Sequence, residues 1–182
     1  MKASGITVTT RLREWASKQH PSVVGMMVKM HESNIHVIRN APMSEAAKAG
    51  VIHGEADKAI AATFKEVPDL AAKVSCKTGC THCCYLEVGV TVGEAEVMLS
   101  YAKDHGLAID VSRLEAQKLA TAEGRFIRLE KPLRKCVFLG EDNLCKVYEF
   151  RPVACRKYFV LTPPEDCDTE GSPDKQVASF FG

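Results

Sequence analysis

The sequence predicts a mainly α protein with a small β-hairpin, in which a helical N-terminal region precedes a small domain organised by metal around clustered cysteines. Three observations predict it. All eight cysteines fall between residues 76 and 167, so the segment before them differs in kind from the rest of the chain. Apolar residues recur near a helical period over much of the chain before Cys136, which is the signature of amphipathic helices. Two short apolar segments, Cys136 to Leu139 and Leu144 to Tyr148, flank Gly140, Glu141, Asp142 and Asn143, a composition suited to a hairpin turn. The 182 residues suit one domain with room for a second small lobe. We divide the chain into a helical N-terminal region (1–74), a cysteine-cluster metal-binding domain (75–167) and an irregular C-terminal tail (168–182).

Each element has a local reason. Arg11 to Gln19 reads as a short polar helical piece, and Pro21 with Ser22 opens a stretch carrying Val23, Val24, Met27, Met30 and Ile38 near helical spacing. After Ala41-Pro42, Ser44 can cap a helix rich in alanine, with Gly50 and Gly54 weakening its middle. Pro68 ends or kinks that helix, and a last turn from Asp69 to Val74 delivers the chain to Cys76. Thr91 and Glu94 have capping-box spacing and open a helix with Ala95, Val97, Met98, Leu99 and Ala102 before Gly106. Asp110 caps a second helix with Val111, Leu114, Leu119 and Ala120, and Gly124 lies just past its end. Together these two predict a helical hairpin. Arg151 and Pro152 open a further short helix, since proline is tolerated in a first turn. Pro163, Pro164, Gly171 and Pro173 mark the tail as irregular.

Composition and charge exclude several function classes. Lys plus Arg (24) against Asp plus Glu (23) leaves a net charge of +1, too little to hold nucleic-acid backbones by charge, so no general nucleic-acid binding is expected. Apolar runs are only a few residues long, far below the roughly 20 that span a bilayer, and the N-terminus has no signal-peptide core. No membrane association is expected, and we read the protein as cytoplasmic. A reducing compartment disfavours four structural disulfides and favours thiolates that ligate something.

Cys76, Cys80, Cys83 and Cys84 form a C-x3-C-x2-C-C pattern, with Gly79 allowing a conformation that bulkier residues resist. Four thiols so close in sequence rarely reach disulfide geometry with one another. As thiolates around a cation they are mutually useful, because the metal neutralises each sulfur and the short loop supplies ligands at little closure entropy. A second set, Cys136, Cys145, Cys155 and Cys167, brings the total to eight, enough for two four-thiolate sites or an iron-sulfur cluster plus one more site. Cys83 and Cys84 point in different directions in any regular backbone, which favours two sites or one polynuclear cluster. Only Cys80 to Cys83 has the two-residue spacing common in zinc sites. The C-x3-C-x2-C loop also resembles the three-ligand loop of radical S-adenosylmethionine enzymes, but no strand-helix series able to build their barrel is present.

The motifs in order, Cys76-Lys77-Thr78-Gly79-Cys80-Thr81-His82-Cys83-Cys84, then Val88, Val90, Thr91 and Glu94, then Cys136-Val137-Phe138-Leu139, Cys145-Lys146-Val147-Tyr148 and Arg151-Pro152-Val153-Ala154-Cys155-Arg156, resemble the YkgJ-like cysteine-cluster family. The resemblance covers roughly residues 75 to 167 and implies zinc or iron chelation. The first spacing is three residues where that family's is two. Its relatives include flagellin lysine N-methylases that carry an iron-sulfur cluster, which implies iron ahead of zinc. A methyltransferase is not implied, because the methylases are longer and no glycine-rich dinucleotide fingerprint occurs.

Arg151 and Arg156 flank Cys155, and Lys77, Lys135 and Lys146 each adjoin a cysteine; these cations either stabilise thiolates or pair with Glu149, Glu141 and Asp142 at the surface. Tyr148 and Phe150 are expected in the small domain's core. His82 lies inside the first cluster as an alternative ligand, whereas His20, His31, His36, His53 and His105 lack ligand spacing and read as exposed or ordinary helix residues. Met26, Met27 and Met30 form a helical stripe suited to core packing or a protein partner. We therefore expect all eight cysteines, Cys76, Cys80, Cys83, Cys84, Cys136, Cys145, Cys155 and Cys167, to serve as metal ligands in one site or two, with a 4Fe-4S iron-sulfur cluster ahead of Zn2+. The role expected is structural or redox-sensing, with a protein partner at the N-terminal helices. An iron-sulfur enzyme with an open iron is the competing reading, and no catalytic constellation supports it.

Overall fold

The computed structural model describes Pro21, residues 38–168, Glu170 and the backbone of Ser179–Phe180. The Arg11 to Gln19 piece, the methionine stripe and most of the tail lie outside the described residues. The chain divides into two compact units, Met1–Met43 and Ser44–Gly182, and the second contains every cysteine. The expected boundary at 74/75 falls within this second unit, so the helix before it shares a unit with the cysteines.

The second unit is mainly α, as the sequence predicts. Helix α1 (Glu45–Glu66) starts where Ser44 Oγ accepts from Ala47 N at 3.2 Å, and it runs through Gly50 and Gly54 unbroken. Pro68 then opens the short α2 (Pro68–Lys73), where its missing N–H is of no consequence. Helix α3 (Val92–Asp104) carries the capping box in full: Glu94 N donates to Thr91 Oγ1 at 3.2 Å and Thr91 N to Glu94 Oε2 at 2.8 Å. Asp110 caps α4 (Val111–Ala122) by accepting from Arg113 N at 3.0 Å. Gly106 and Gly124 terminate α3 and α4 with φ of +63°, a left-handed conformation that glycine adopts without steric cost. Two one-turn helices come next, α5 (Lys131–Arg134) and α6 (Val153–Arg156).

Part of the core lies between α1 and α3, and the rest is in Ala120, Phe126, Leu139, Val147, Val160 and Cys167. Ala49 and His53 of α1 and Glu94, Met98 and Ala102 of α3 are spaced four residues apart, the interval that puts side chains on one helical face. Gly93 lets the helices touch backbone to backbone, for a Cβ there would sit 2.1 Å from the Glu45 carbonyl oxygen. The predicted hairpin of α3 with α4 does not form. Helix α3 spends its buried stripe on α1, and α4 packs instead on α5 and the 3₁₀ turn Phe126–Arg128, leaving Leu119 61 % exposed.

The hairpin expected at 136–148 is reduced to one antiparallel bridge, Leu139 with Cys145, around the Gly140–Asn143 turn. The reason is local. Leu139 N bonds back to the Cys136 carbonyl at 3.0 Å, and a 3₁₀ turn begins at Tyr148, so neither arm stays extended. The named strands are instead β1 (Phe159–Val160) and β2 (Ser179–Phe180), paired antiparallel with Phe159 opposite Phe180. Part of the tail expected to be irregular thus supplies a strand. Among the described residues no helix is long and apolar enough to cross a membrane.

Candidate metal centre

All eight cysteines sit in loops, 3₁₀ turns or the single turn of α6 rather than in long helices. Gly79, at φ +84°, turns the chain so that Cys80 N bonds to Lys77 O at 3.0 Å. The 3₁₀ turn His82–Tyr85 then carries His82, Cys83 and Cys84. The second block is tied to the first through backbone: Cys136 N donates to Cys84 O at 2.8 Å and Ser75 N to Val160 O at 2.8 Å. Val160 N in turn donates to Cys76 Sγ at 3.3 Å. Cys167 ends the 3₁₀ turn Pro164–Cys167, which packs on the His82–Tyr85 turn. The 51 residues between Cys84 and Cys136 are in this way spanned by a few short hydrogen bonds.

None of the eight is in a disulfide. Among the described residues no three His, Cys, Asp or Glu groups are drawn onto one point as they would be around a bound metal ion. The thiols instead form two electrostatic neighbourhoods. Burial raises Cys167 to about 11, helped by the charges of Cys80, Cys76 and Cys83. Burial likewise raises Cys76, which the Val160 N–H opposes and which Cys80 and Cys83 reinforce. In the other neighbourhood burial raises Cys155 to about 12, with Cys83, Cys136 and Cys145 adding to it and Arg151 opposing it. Burial also raises Cys136 and Cys145. Cys84 is raised by donating its thiol proton to Cys83, then by burial and by Cys83, Cys136 and Cys145.

Cys83 belongs to both neighbourhoods. The hydrogen bond from Cys84 holds it down to about 7, against the effect of burial and with help from its own N–H and Arg151. A lowered thiol is the readier thiolate, and thiolate rather than thiol is what binds metal. A cavity of about 140 Å³ reaches this point, lined by Cys83, Cys155, Tyr158, Leu86, Val88 and Ala154.

The companion cations sort unevenly. Lys135 pairs with Glu141 at 2.5 Å and Lys146 with Asp142 at 2.5 Å, so these two belong to the surface reading. Arg156 donates Nε to the Arg151 carbonyl at 2.8 Å and a further nitrogen to Glu149 O, and it pairs with Asp57 at 2.6 Å. Arg151 acts on the thiols. It lowers Cys83, Cys145 and Cys155, its guanidinium lies 3.8 Å from the Tyr148 ring centroid, and its buried Nε has no hydrogen-bond partner among the described residues. A half-buried cation whose Nε is unused beside free thiols fits an anionic thiolate centre, and so does the all-sulfur donor set.

Two expectations need correction. Tyr148 is 58 % exposed, because its ring serves as a platform for Arg151 rather than as core; Phe150 does pack, 4.8 Å from Tyr101. His53 is 6 % exposed, because Glu94 Oε1 lies 3.3 Å from its Nε2 and satisfies it inside the α1–α3 layer. Sequence reasoning also passed over Arg113, whose charge lowers Cys136, and Glu94 as anything more than a capping residue. Glu94 accepts from Val153 N at 2.8 Å, two residues before Cys155. That link spans 59 positions and has no local signal.

Comparison with curated proteins and with solved structures finds no match for this chain. A family model does match, over residues 75–169, which is more than half of the chain and includes every cysteine. By that match the chain belongs to the CxxCxxCC family, described as "putative zinc- or iron-chelating domain".

Proposed function

We propose that this protein holds a 4Fe-4S cluster through its cysteine thiolates, with a structural or redox-sensing role. The observation that carries the reading is Cys83, the sulfur shared by the two thiol neighbourhoods. A single ion has no use for a ligand between two sets, whereas a polynuclear cluster presents separated irons to divergent thiolates. Such a cluster takes four thiolates, so it would draw Cys83 and three others from the two sets, Cys76, Cys80 and Cys167 and Cys84, Cys136, Cys145 and Cys155, leaving the remainder for a further site. Loading requires the sulfurs to move inward, and loops and one-turn helices permit this where long helices would not. The cavity at Cys83 and Cys155 gives small molecules a route to the centre, as redox sensing needs.

A zinc reading has its own support. Cys84, Cys136, Cys145 and Cys155 are four thiols in one neighbourhood, the number a structural zinc site takes. Either way the protein works in a reducing compartment, for which we propose the cytoplasm, and meets a protein partner through its N-terminal helices. Anaerobic purification with iron, sulfide and zinc analysis and a visible spectrum is the test. Iron and acid-labile sulfide in equal amounts with a broad brown absorption are expected. A colourless protein with stoichiometric zinc would overturn the cluster in favour of zinc.

A further inference from the structure

We propose that helix α1, which lies outside the matched residues 75–169, sets the position of Cys155, with His53 and Asp57 as its two positioning residues. The inference rests on the reading of Cys155 as a metal ligand. Helix α6 is a single turn, Val153–Arg156, with no side-chain cap. An isolated turn fixes several dihedrals for very few hydrogen bonds and is unstable alone, so its position must come from outside. The structure supplies that support on both sides of Cys155.

On the N-terminal side, Glu94 Oε1 accepts from Val153 N at 2.8 Å, and the same oxygen lies 3.3 Å from Nε2 of His53. His53 and Glu94 are each 6 % exposed, so water offers neither a substitute partner. On the C-terminal side, Asp57 Oδ2 takes Arg156 at 2.6 Å. Arg156 is 7 % exposed, and its other nitrogens hold the carbonyls of Arg151 and Glu149, fixing the loop that leads into the turn. His53 and Asp57 are four residues apart and therefore share one face of α1. Beyond the turn, Phe64 of the same helix meets Phe159 edge-on at 5.1 Å. Helix α1 thus holds α6 directly at Arg156, the chain after it at Phe159, and Val153 through Glu94 of α3, so that Cys155 lies between the two polar attachments.

The coupling runs both ways. A shift of α1 moves Cys155, and by linkage a metal bound at Cys155 stiffens α1 by the same free energy. The helix is in this sense a part of the metal site that carries none of its ligands.

The test uses the full chain and Asp57→Ala, His53→Ala, Asp57→Glu as the conservative rescue, and Glu55→Ala as a control on the solvent side of α1. In reduced, metal-free protein the alkylation rate of each cysteine is followed by mass spectrometry well below the melting temperature. Asp57→Ala and His53→Ala should speed alkylation of Cys155 about fivefold relative to Cys136 and Cys76, the effect of one modest polar attachment. Asp57→Glu should restore the wild-type rate and Glu55→Ala should leave it unchanged. Metal-loaded protein should release its metal to a chelator faster by a similar factor in the two alanine variants. Equal acceleration at all eight cysteines would mean a merely structural role and would overturn the proposal, as would an unchanged Cys155 rate or unchanged metal release. A wild-type protein that purifies without metal would refute the metal reading, while the alkylation series would still decide the positioning role of α1.

Discussion

The α1–α3 layer and the loops from Cys136 to Cys167 are held by different means. The helical layer has a continuous apolar seam through Ala49, Met98 and Ala102, capped helix ends and a backbone-close crossing at Gly93. The loops bury apolar side chains just as deeply, but not along one helical face. Their inaccessible residues are Leu139, Val147, Val160 and Cys167, separated by 3₁₀ turns, with buried Arg156 tied to carbonyl oxygens. Burial along two long helices stabilises the first region, whereas the second interleaves its buried apolar residues with Cys136, Cys145, Cys155 and Cys167. What the contrast teaches is that the stability of the loops depends on what the sulfurs bind.

The sharpest way to break the comparison is to remove the metal. Chelation under reducing conditions should abolish amide protection across residues 136–160 while α3 keeps its own and α1 loses only about fivefold through its link to Cys155, since a thiolate-bound structural metal contributes roughly 10 kcal/mol of folding free energy. Hydrogen exchange read by mass spectrometry checks this, and uniform loss of protection would show that the two regions are one cooperative unit. Next in size is the reciprocal change. Met98→Ala should cost about 2–5 kcal/mol in chemical denaturation, the range for emptying a buried methionine site, with metal content per folded molecule unchanged.

The smallest effect concerns acid. Burial works against a charge on Glu94, but donors from Thr91, Val153 and His53 outweigh it and hold the carboxyl below its usual value of 4.5. A depressed carboxylate stabilises the fold above its unfolded pKa, and that contribution is lost as pH falls through the folded value. Stability should therefore decline below about pH 4.5, and Glu94→Gln should flatten this decline while lowering stability at neutral pH. Melting temperatures across pH 3 to 7 decide it; an equally steep acid limb in the variant would assign the loss to other groups.

How much of this was legible in the sequence depends on the range of each interaction. Ser44, the Thr91–Glu94 box, Asp110, Gly106 and Gly124 act within four or five residues, and they stand where the residue pattern places them. The cysteine spacing was legible as chemistry for the same reason. The partner of α3 was not, because Met98 and Ala102 serve equally well against α4 or α1. Nor was the burial of His53, which needs Glu94 from 41 residues away, or the exposure of Tyr148, whose ring could have entered the core had Arg151 not stacked on it. Hairpin composition at 140–143 gave the turn correctly but said nothing of the bends that shorten its arms.

The bond from Ser75 N to Val160 O has a consequence for how such a segment travels between proteins. The entry of the cysteine-bearing stretch lies one hydrogen bond from a point seven residues before its last cysteine, as near the neck of a purse. A stretch closed in that fashion can be spliced into a surface loop of an unrelated host without prising the host's own strands or helices apart. What such a graft would need to bring along is a helix to brace it, and here that helix comes from the residues upstream.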